Sequence, residues 1–440
     1  MITIIRAAGI LSLCLLSVAT AAARADEHFL TDEAAVARLL DLADQRLALM
    51  PAVAATKWRT HAPISDPERE KVVIRRAGEL AAPLGLAAEP VERVFEIQIR
   101  LAVDVETRMT DGWTAHGFDY PGPLPDLATQ LRPQIDRVTT QLLRSLYLVA
   151  PVTQQPQFVG RFSSLATQHL HGPGWSEESR REFLSALAAM RQTDAPALQR
   201  IPAAGVVRIG VTGDYAPFSL DNHGVLSGAD IELGKALAAN LKAEPVFIHT
   251  SWKSLVDDLH RNRFDLAMGG ISITPERQSQ AEFSTPYASG GKTIIARCRD
   301  ASRYRDLASV DKRGVRVVVN PGGTNEQYVR ANIHKAQITV HNDNTTIFDE
   351  IRAGKADLMI TDDTEVDLQT HRHPDLCRPN PATLTHADKA IMLPHDAPFV
   401  SAVNAWLQDE IKAGEPDRLI RQGLGEGQPA TRMPAESERR

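Results

Sequence analysis

Cysteine is nearly absent: Cys14, Cys298 and Cys377 are the three in the chain, and neither Cys298 nor Cys377 sits in a metal-like cluster. That speaks against a cysteine-based metal site, and no metal is expected. Long apolar runs are equally scarce. After residue 25 none approaches the ~18 residues a membrane span needs. Basic runs are missing too, and the 55 acids outnumber the 49 Lys and Arg. A mildly acidic chain of this kind is a poor nucleic-acid binder. Any anionic small molecule it handles has to be held by local arginines rather than by a global field.

The one long apolar run stands at the start. Arg6 precedes "AAGILSLCLLSVATAAA", and Ala23-Arg24-Ala25 has the small-x-small pattern of a processing site, so residues 1–25 read as a signal peptide. The mature chain is then exported and free of the membrane. Losing Arg6 and Arg24 and no acid moves the formal net charge from −6 to −8. Cys14 leaves with the leader, and an even pair in an oxidising compartment reads as one disulfide, Cys298–Cys377.

The remaining chain has two rhythms. Residues 26–193 are helical throughout, with apolar residues three and four apart, as in "EAAVARLLDLADQRLALM". Ser65 or Asp66 caps a second helix with Pro67 in its first position. "AEPVERVFEIQIRLAVDVETRM", "DLATQLRPQIDRVTTQLLRSLYLVA" and "SEESRREFLSALAAMR" supply three more. Residues 194–202, in a stretch rich in proline and alanine, suit a linker. From 203 to 428 short β-branched runs such as "VVRIGVT", "KTIIAR" and "DLMITD" alternate with helices, the mark of an α/β domain. Residues 429–440 read as a disordered tail.

"VTGDYAPFSLDNHGVLSGADIELGKALA" and "FDLAMGGISITPERQSQAEFSTPY" resemble the type II periplasmic solute-binding proteins. The resemblance implies a periplasmic location and two α/β lobes joined by two crossover strands, with ligand closed between them. Lobe one would hold about 203–296 and 391–428, and lobe two about 299–388. It also implies that Arg277 grips a ligand carboxylate with its two-pronged donors. Gly322, Gly323, Thr324 and Asn325, at a helix entry, would offer N–H groups to a second carboxylate. Asp214, Tyr215 and Trp252 would line the first lobe's wall.

"LMITDDTEV", residues 358–366, ends a buried strand in acid. In amino-acid receptors of this family an acid near Asp362 takes the ligand's ammonium. Glu365, one turn on, fits instead the "TDxxE" pattern of the cyclohexadienyl dehydratases, which aromatise prephenate or arogenate by expelling hydroxide and carbon dioxide. Hydroxide is a poor leaving group and needs a protonated acid beside it. A carboxyl enclosed near Asp362 and Asp363 should have a raised pKa, and Glu365 is the candidate. Lys389 would steady substrate charge.

The helical half resembles the secreted, all-helical (gamma-class) chorismate mutases through "ADQRLALMPAVAATKWR", "ISDPERE" and "VFEIQIRLAVDVE". Arg46 and Lys57 are eleven residues apart, about three helical turns, hence on one face. Gln98, Ala102 and Glu106 recur every four residues on another helix. Cations and a carboxyl pointed into a helical core need a polyanion there. The resemblance implies Arg46 and Arg69 on chorismate's carboxylates, Lys57 and Glu106 at its ether oxygen, Gln98 in the binding set, and a homodimer through this half. Ala102 replaces a hydroxyl of some relatives. Gln141 lies where one carries an arginine, with Arg137 or Arg132 as substitutes. Neither chemistry needs a cofactor. The alternative is an amino-acid-binding receptor of a transporter fused to a helical interaction domain.

Overall fold

The computed structural model describes residues 28–425, so the expected leader and the tail from 429 lie outside the described residues. Thr31 accepts from the Ala34 amide and starts the helix Asp32–Ala48, whose stripe Val36, Leu39, Leu40, Ala43 and Leu47 is fully buried. Leu49 keeps a helical backbone, and Met50–Thr60 follows directly despite Pro51. Asp66 caps Pro67–Ala81 by accepting from the Arg69 amide. The 29-residue helix Ala88–His116 runs the length of the bundle, about 43 Å at 1.5 Å per residue. Asp126 accepts from the amides of Ala128 and Thr129 and opens a short π-turn, Leu127–Leu131, before Arg132–Thr153. Glu177–Ala188 closes the set. One helix, Phe158–His169, is an addition to the expected list; Phe158, Phe162 and Ala166, four apart, carry it into the core.

The α/β half has two five-stranded sheets. The first runs in space Glu244–His249, Val206–Val211, Leu266–Ala267, Met392–Leu393 and Glu282–Phe283. The second runs Gln337–Val340, Arg316–Val319, Leu358–Asp362, Lys292–Arg297 and Leu376–Cys377. Lys292–Arg297 therefore belongs to lobe two, although lobe one was expected to extend to 296. It pairs antiparallel with Leu358–Asp362, and a strand so paired cannot travel with the other sheet. The crossovers are Ala288–Gly290 and Ala387–Lys389, themselves paired antiparallel. The helices Ala397–Lys412 and Glu415–Leu424 return to lobe one through Phe399, Val403, Leu407 and Leu419. Cys298 and Cys377 are bonded, with Cα atoms 4.8 Å apart. They join neighbouring strands at the end of lobe two far from Asp362.

The stretch expected as a linker is helical over Ala197–Ala204, and Ile201 is fully buried among lobe-one side chains. Apolar Ala197, Ile201 and Ala204 share a face, which composition alone read as punctuation. The seam between the halves is a buried ionic knot. Tyr147, on Arg132–Thr153, donates to Asp265 at 2.9 Å, and Asp265 also accepts from Arg208 and Arg200 at 2.8 Å. The Arg208 guanidinium lies 4.2 Å over the Tyr147 ring. Two arginines hold the Asp265 carboxyl well below the usual carboxylate range despite its burial.

Removing one partner of such a knot strands the others without solvent. Asp265→Asn should therefore destabilise the protein by ~3–5 kcal/mol in equilibrium denaturation. Because the folded carboxyl is the stronger acid, the wild-type advantage is fully present above about pH 4 and fades as pH falls below it. An advantage unchanged from pH 7 down to pH 3 would contradict this.

Candidate active sites

The helical half encloses a cavity of about 600 Å³, lined by Arg46, Lys57, Arg69, Arg76 and Arg132, with Asp66 and Asp136 as its acids and Val53, Val73, Ala77, Leu127 and Ile135 as its apolar wall. Arg46 is 6% exposed, and its Nε and Nη1 are buried without a partner. Burial pulls its pKa down to about 10, so it stays charged at neutrality. Lys57 Nζ donates to Glu106 Oε2 and to the Ile64 carbonyl, both at 2.7 Å. Burial pushes the Glu106 carboxyl up, against the pull of Lys57. Gln98 is fully buried with neither end of its amide satisfied, and it stands behind the cavity rather than on its wall. Arg132 lines the cavity; Arg137 and Gln141 line a separate groove on the other side of their helix. Unsatisfied buried guanidinium and a cluster of arginines make this a receptacle for a small polyanion.

The second site lies between the lobes. Asp362 ends its strand with each oxygen taken: Oδ1 by Lys292 Nζ at 2.6 Å, Oδ2 by Lys389 Nζ at 2.6 Å and by the Tyr215 hydroxyl at 2.7 Å. These lysines hold its carboxyl far below the ordinary range. Lys292 also donates to Thr324 Oγ1 at 2.8 Å and to Asn325 Oδ1. Glu365, 3% exposed, accepts from Thr361 Oγ1 and, at 3.3 Å, from Asn344 Nδ2. Burial first, then the charges of Asp362 and Asp214, push its pKa up to about 8. Arg277 lines the cleft, gives Nη1 to the Ser272 carbonyl at 3.0 Å, and lies 5.9 Å over the Trp252 ring. The lobes are closed, leaving about 20 Å³, room for about one water.

Several placements differ from expectation. Asp362 has no free oxygen for an ammonium, because two lysines neutralise it. Asp214 does not face the cleft; it accepts from Trp252 Nε1 at 3.0 Å and so fixes the indole that does. Lys389 likewise stands one step behind the wall. Asp363 turns away to accept from the Gly291 amide at 3.2 Å, just past the crossover strand. The Gly322 amide already donates to Glu326 at 2.7 Å, one donor fewer for an anion at that helix entry. Lys292 and Asn344 are the residues that sequence reasoning missed. Lys292 opens "KTIIAR", and only the register Asp362↔Lys292 places it on the acid. Among the described residues no His, Cys, Asp and Glu cluster could hold a metal, and no helix is long and apolar enough to cross a membrane.

Two lobes closing on a charged cleft, with paired crossovers behind it, define a solute-binding architecture. The chain belongs to the bacterial extracellular solute-binding proteins, family 3, whose profile matches residues 207–426. The profile of chorismate mutase type II matches residues 37–107, so the protein is a fusion of these two domains. Over 256 residues it is 44% identical to the cyclohexadienyl dehydratase of Pseudomonas aeruginosa, covering 56% of this chain and 94% of that protein. It is 28% identical over 170 residues to an L-cystine-binding protein of Escherichia coli K12, covering 38% of this chain and 63% of that one. A solved ancestral amino acid-binding protein, described as a precursor of cyclohexadienyl dehydratase, is 32% identical. The match covers 52% of this chain and 99% of that one, with a TM-score of 0.49.

The raised Glu365 carboxyl has a measurable consequence. Unfolded, it ionises near ~4.3; folded, it keeps its proton up to about 8. Between those values the unfolded chain releases a proton that the folded one retains, so this group erodes stability as pH rises. Glu365→Gln should raise the melting temperature by ~2–4 °C at pH 8 and by almost nothing at pH 4. A gain independent of pH would show that Glu365 is ionised in the fold.

Proposed function

We propose that the protein converts chorismate to prephenate in its helical cavity and prephenate to phenylpyruvate between its lobes. The comparisons carry both activities: a chorismate mutase type II profile on the helices and a 44% identical cyclohexadienyl dehydratase on the lobes. The observation that carries the chemistry is Glu365, a buried carboxyl beside an acid already neutralised by two lysines. An amino-acid receptor needs a free acid for the ammonium, and Asp362 is not free. The same occupancy favours prephenate over arogenate, which carries an ammonium where prephenate has a ketone.

In the first reaction no nucleophile is needed, only a compact substrate and stabilised charge at the breaking ether bond. Arg46 and Arg69 hold the two carboxylates, with Arg132 available to either. Lys57 donates to the ether oxygen, and Glu106, its carboxyl pushed up by burial, stands beside it. Gln98, with both ends of its buried amide unpaired, belongs to the binding set of this half.

In the second reaction the lobes open, because the closed cleft has room for about one water. Arg277 grips the side-chain carboxylate, and Trp252 packs on the ring. Three cations, Arg277, Lys292 and Lys389, stand against the acids Asp362 and Asp214, so the site keeps a positive balance for an anionic substrate. Thr324 and Asn325 hold Lys292 in place. Glu365 gives its proton to the ring hydroxyl, which leaves as water. The bond from the ring to its carboxylate breaks, carbon dioxide departs, and that electron pair completes the aromatic ring. Export to the periplasm and pairing of two copies through the helical half belong to the same proposal; sedimentation of the mature protein reads the latter.

Chorismate incubated with the purified protein should yield phenylpyruvate, which a receptor cannot produce. Glu365→Gln should stop at prephenate, with chorismate consumption within about twofold of wild type, since the amide cannot deliver the proton. Wild-type dehydration should decline as pH rises through about 8, where Glu365 ionises. Lys57→Ala should do the converse, losing ~10²-fold or more in chorismate turnover while dehydrating supplied prephenate normally. Parallel loss of both activities in either variant would contradict separate sites.

A further inference from the structure

The first described residues do not stay with the helical half they lead into. Leu30 donates its amide to the Phe247 carbonyl at 2.9 Å, on the edge strand of lobe one. Its side chain packs against both the helical core and a lobe-one cluster containing Ile248. His28 bonds the Gly224 carbonyl, in the hairpin formed by the paired strands Ser219–Asn222 and Val225–Ser227. Between them Phe29 packs edge-on to His249, ring centroids 5.0 Å apart, and against the lobe-one core. It reaches Gly213 so closely that a Cβ there would lie 2.9 Å from the Phe29 ring and 3.2 Å from Asp221 Cβ on the other side. Gly213 has φ +69°, a left-handed conformation that glycine adopts without strain.

Gly213 is the bend that turns the chain into the short strand Asp214–Tyr215, which pairs with Ser219–Leu220 and meets lobe two. Asp214 accepts from Trp252 Nε1, and its carbonyl accepts from Asn344 Nδ2 at 2.9 Å. The same Asn344 amide reaches Glu365. Tyr215 donates to Asp362. A small displacement of this segment would therefore reach Trp252, Asn344 and Asp362 together.

We propose that residues 28–31 are a strap by which the helical domain sets the dehydratase site, with Phe29 as a positioning residue that wedges the Gly213–Tyr215 segment against the closing lobe. Phe29 touches no reacting atom. It acts through Gly213, which has glycine's freedom at the pivot of this segment and no side chain of its own to fill the space that the Phe29 ring occupies. A fusion built this way has its dehydratase half tuned by a segment belonging to the other domain. The inference rests on the dehydratase reading above for its kinetic consequence, but not for its mechanical one.

The test is Phe29→Ala in the full-length protein, with Phe29→Leu as the variant that restores much of the volume. Phe29→Ala should lower kcat/KM for prephenate by about tenfold. It should also shift the alkaline limb of the kcat–pH profile, because Asp214 contributes to the field on Glu365. Chorismate consumption should stay within twofold, and Phe29→Leu should recover at least half of the lost dehydration. Hydrogen exchange at the amides of 213–215 should speed up at least fivefold in Phe29→Ala, a readout that holds whether or not the lobes turn over prephenate. If wild type fails to dehydrate prephenate, the reading of the site falls while the exchange result still judges the strap. Unchanged exchange and an unchanged pH profile, or an equal fall in both activities, would overturn the strap.

Discussion

Asp362 sits between Lys292 and Lys389, and the chemistry between the lobes depends on that ionic triad. A buried carboxylate is tolerated because two ammonium groups and a phenol satisfy it at 2.6–2.7 Å. Together with the Tyr215 phenol the triad spans the hinge: Asp362 and Lys292 belong to lobe two, Tyr215 to lobe one, and Lys389 to the return crossover. Closing the lobes thus completes it. Once Asp362 is ionised and fully paired, its residual field helps keep the neighbouring Glu365 protonated. Two acids three residues apart are in this way given opposite protonation states by their surroundings.

The helical half solves a related problem with the opposite sign. Arg46 is buried with two nitrogens unpaired, and more arginines ring the same cavity. Buried guanidinium without a partner is costly, and among the described residues nothing on the cavity wall satisfies those two nitrogens. Lys57 lines that cavity, and Glu106, 2.7 Å from it, holds its ammonium from behind. Both halves bury charge at the site, paired within the protein between the lobes and partly unpaired among the helices.

How much of this was legible in the sequence follows from the range of each interaction. The burial of Glu365 near Asp362 was readable because its position one turn beyond "ITD" is a local pattern, and so were Asp66 as a cap and the shared face of Arg46 and Lys57. The knot of Tyr147, Arg200, Arg208 and Asp265 was not, because its members are brought together only by the docking of two domains. Lys292 was hidden for the same reason: strand register, not spacing, sets it against Asp362. The linker was misread because Ala197, Ile201 and Ala204 form too short a stripe to stand out among prolines. Asp214 was assigned to the wall when its neighbour Trp252, which it fixes, fills that place.

The central claim is that Glu365 is a neutral acid at the pH where the protein works. Infrared difference spectra between wild type and Glu365→Gln isolate that one carboxyl. A protonated carboxyl stretch should be present from pH 5 to 7 and give way to carboxylate bands as pH passes about 8. Carboxylate bands alone at pH 6 would contradict the account, leaving the cleft without an acid to expel hydroxide.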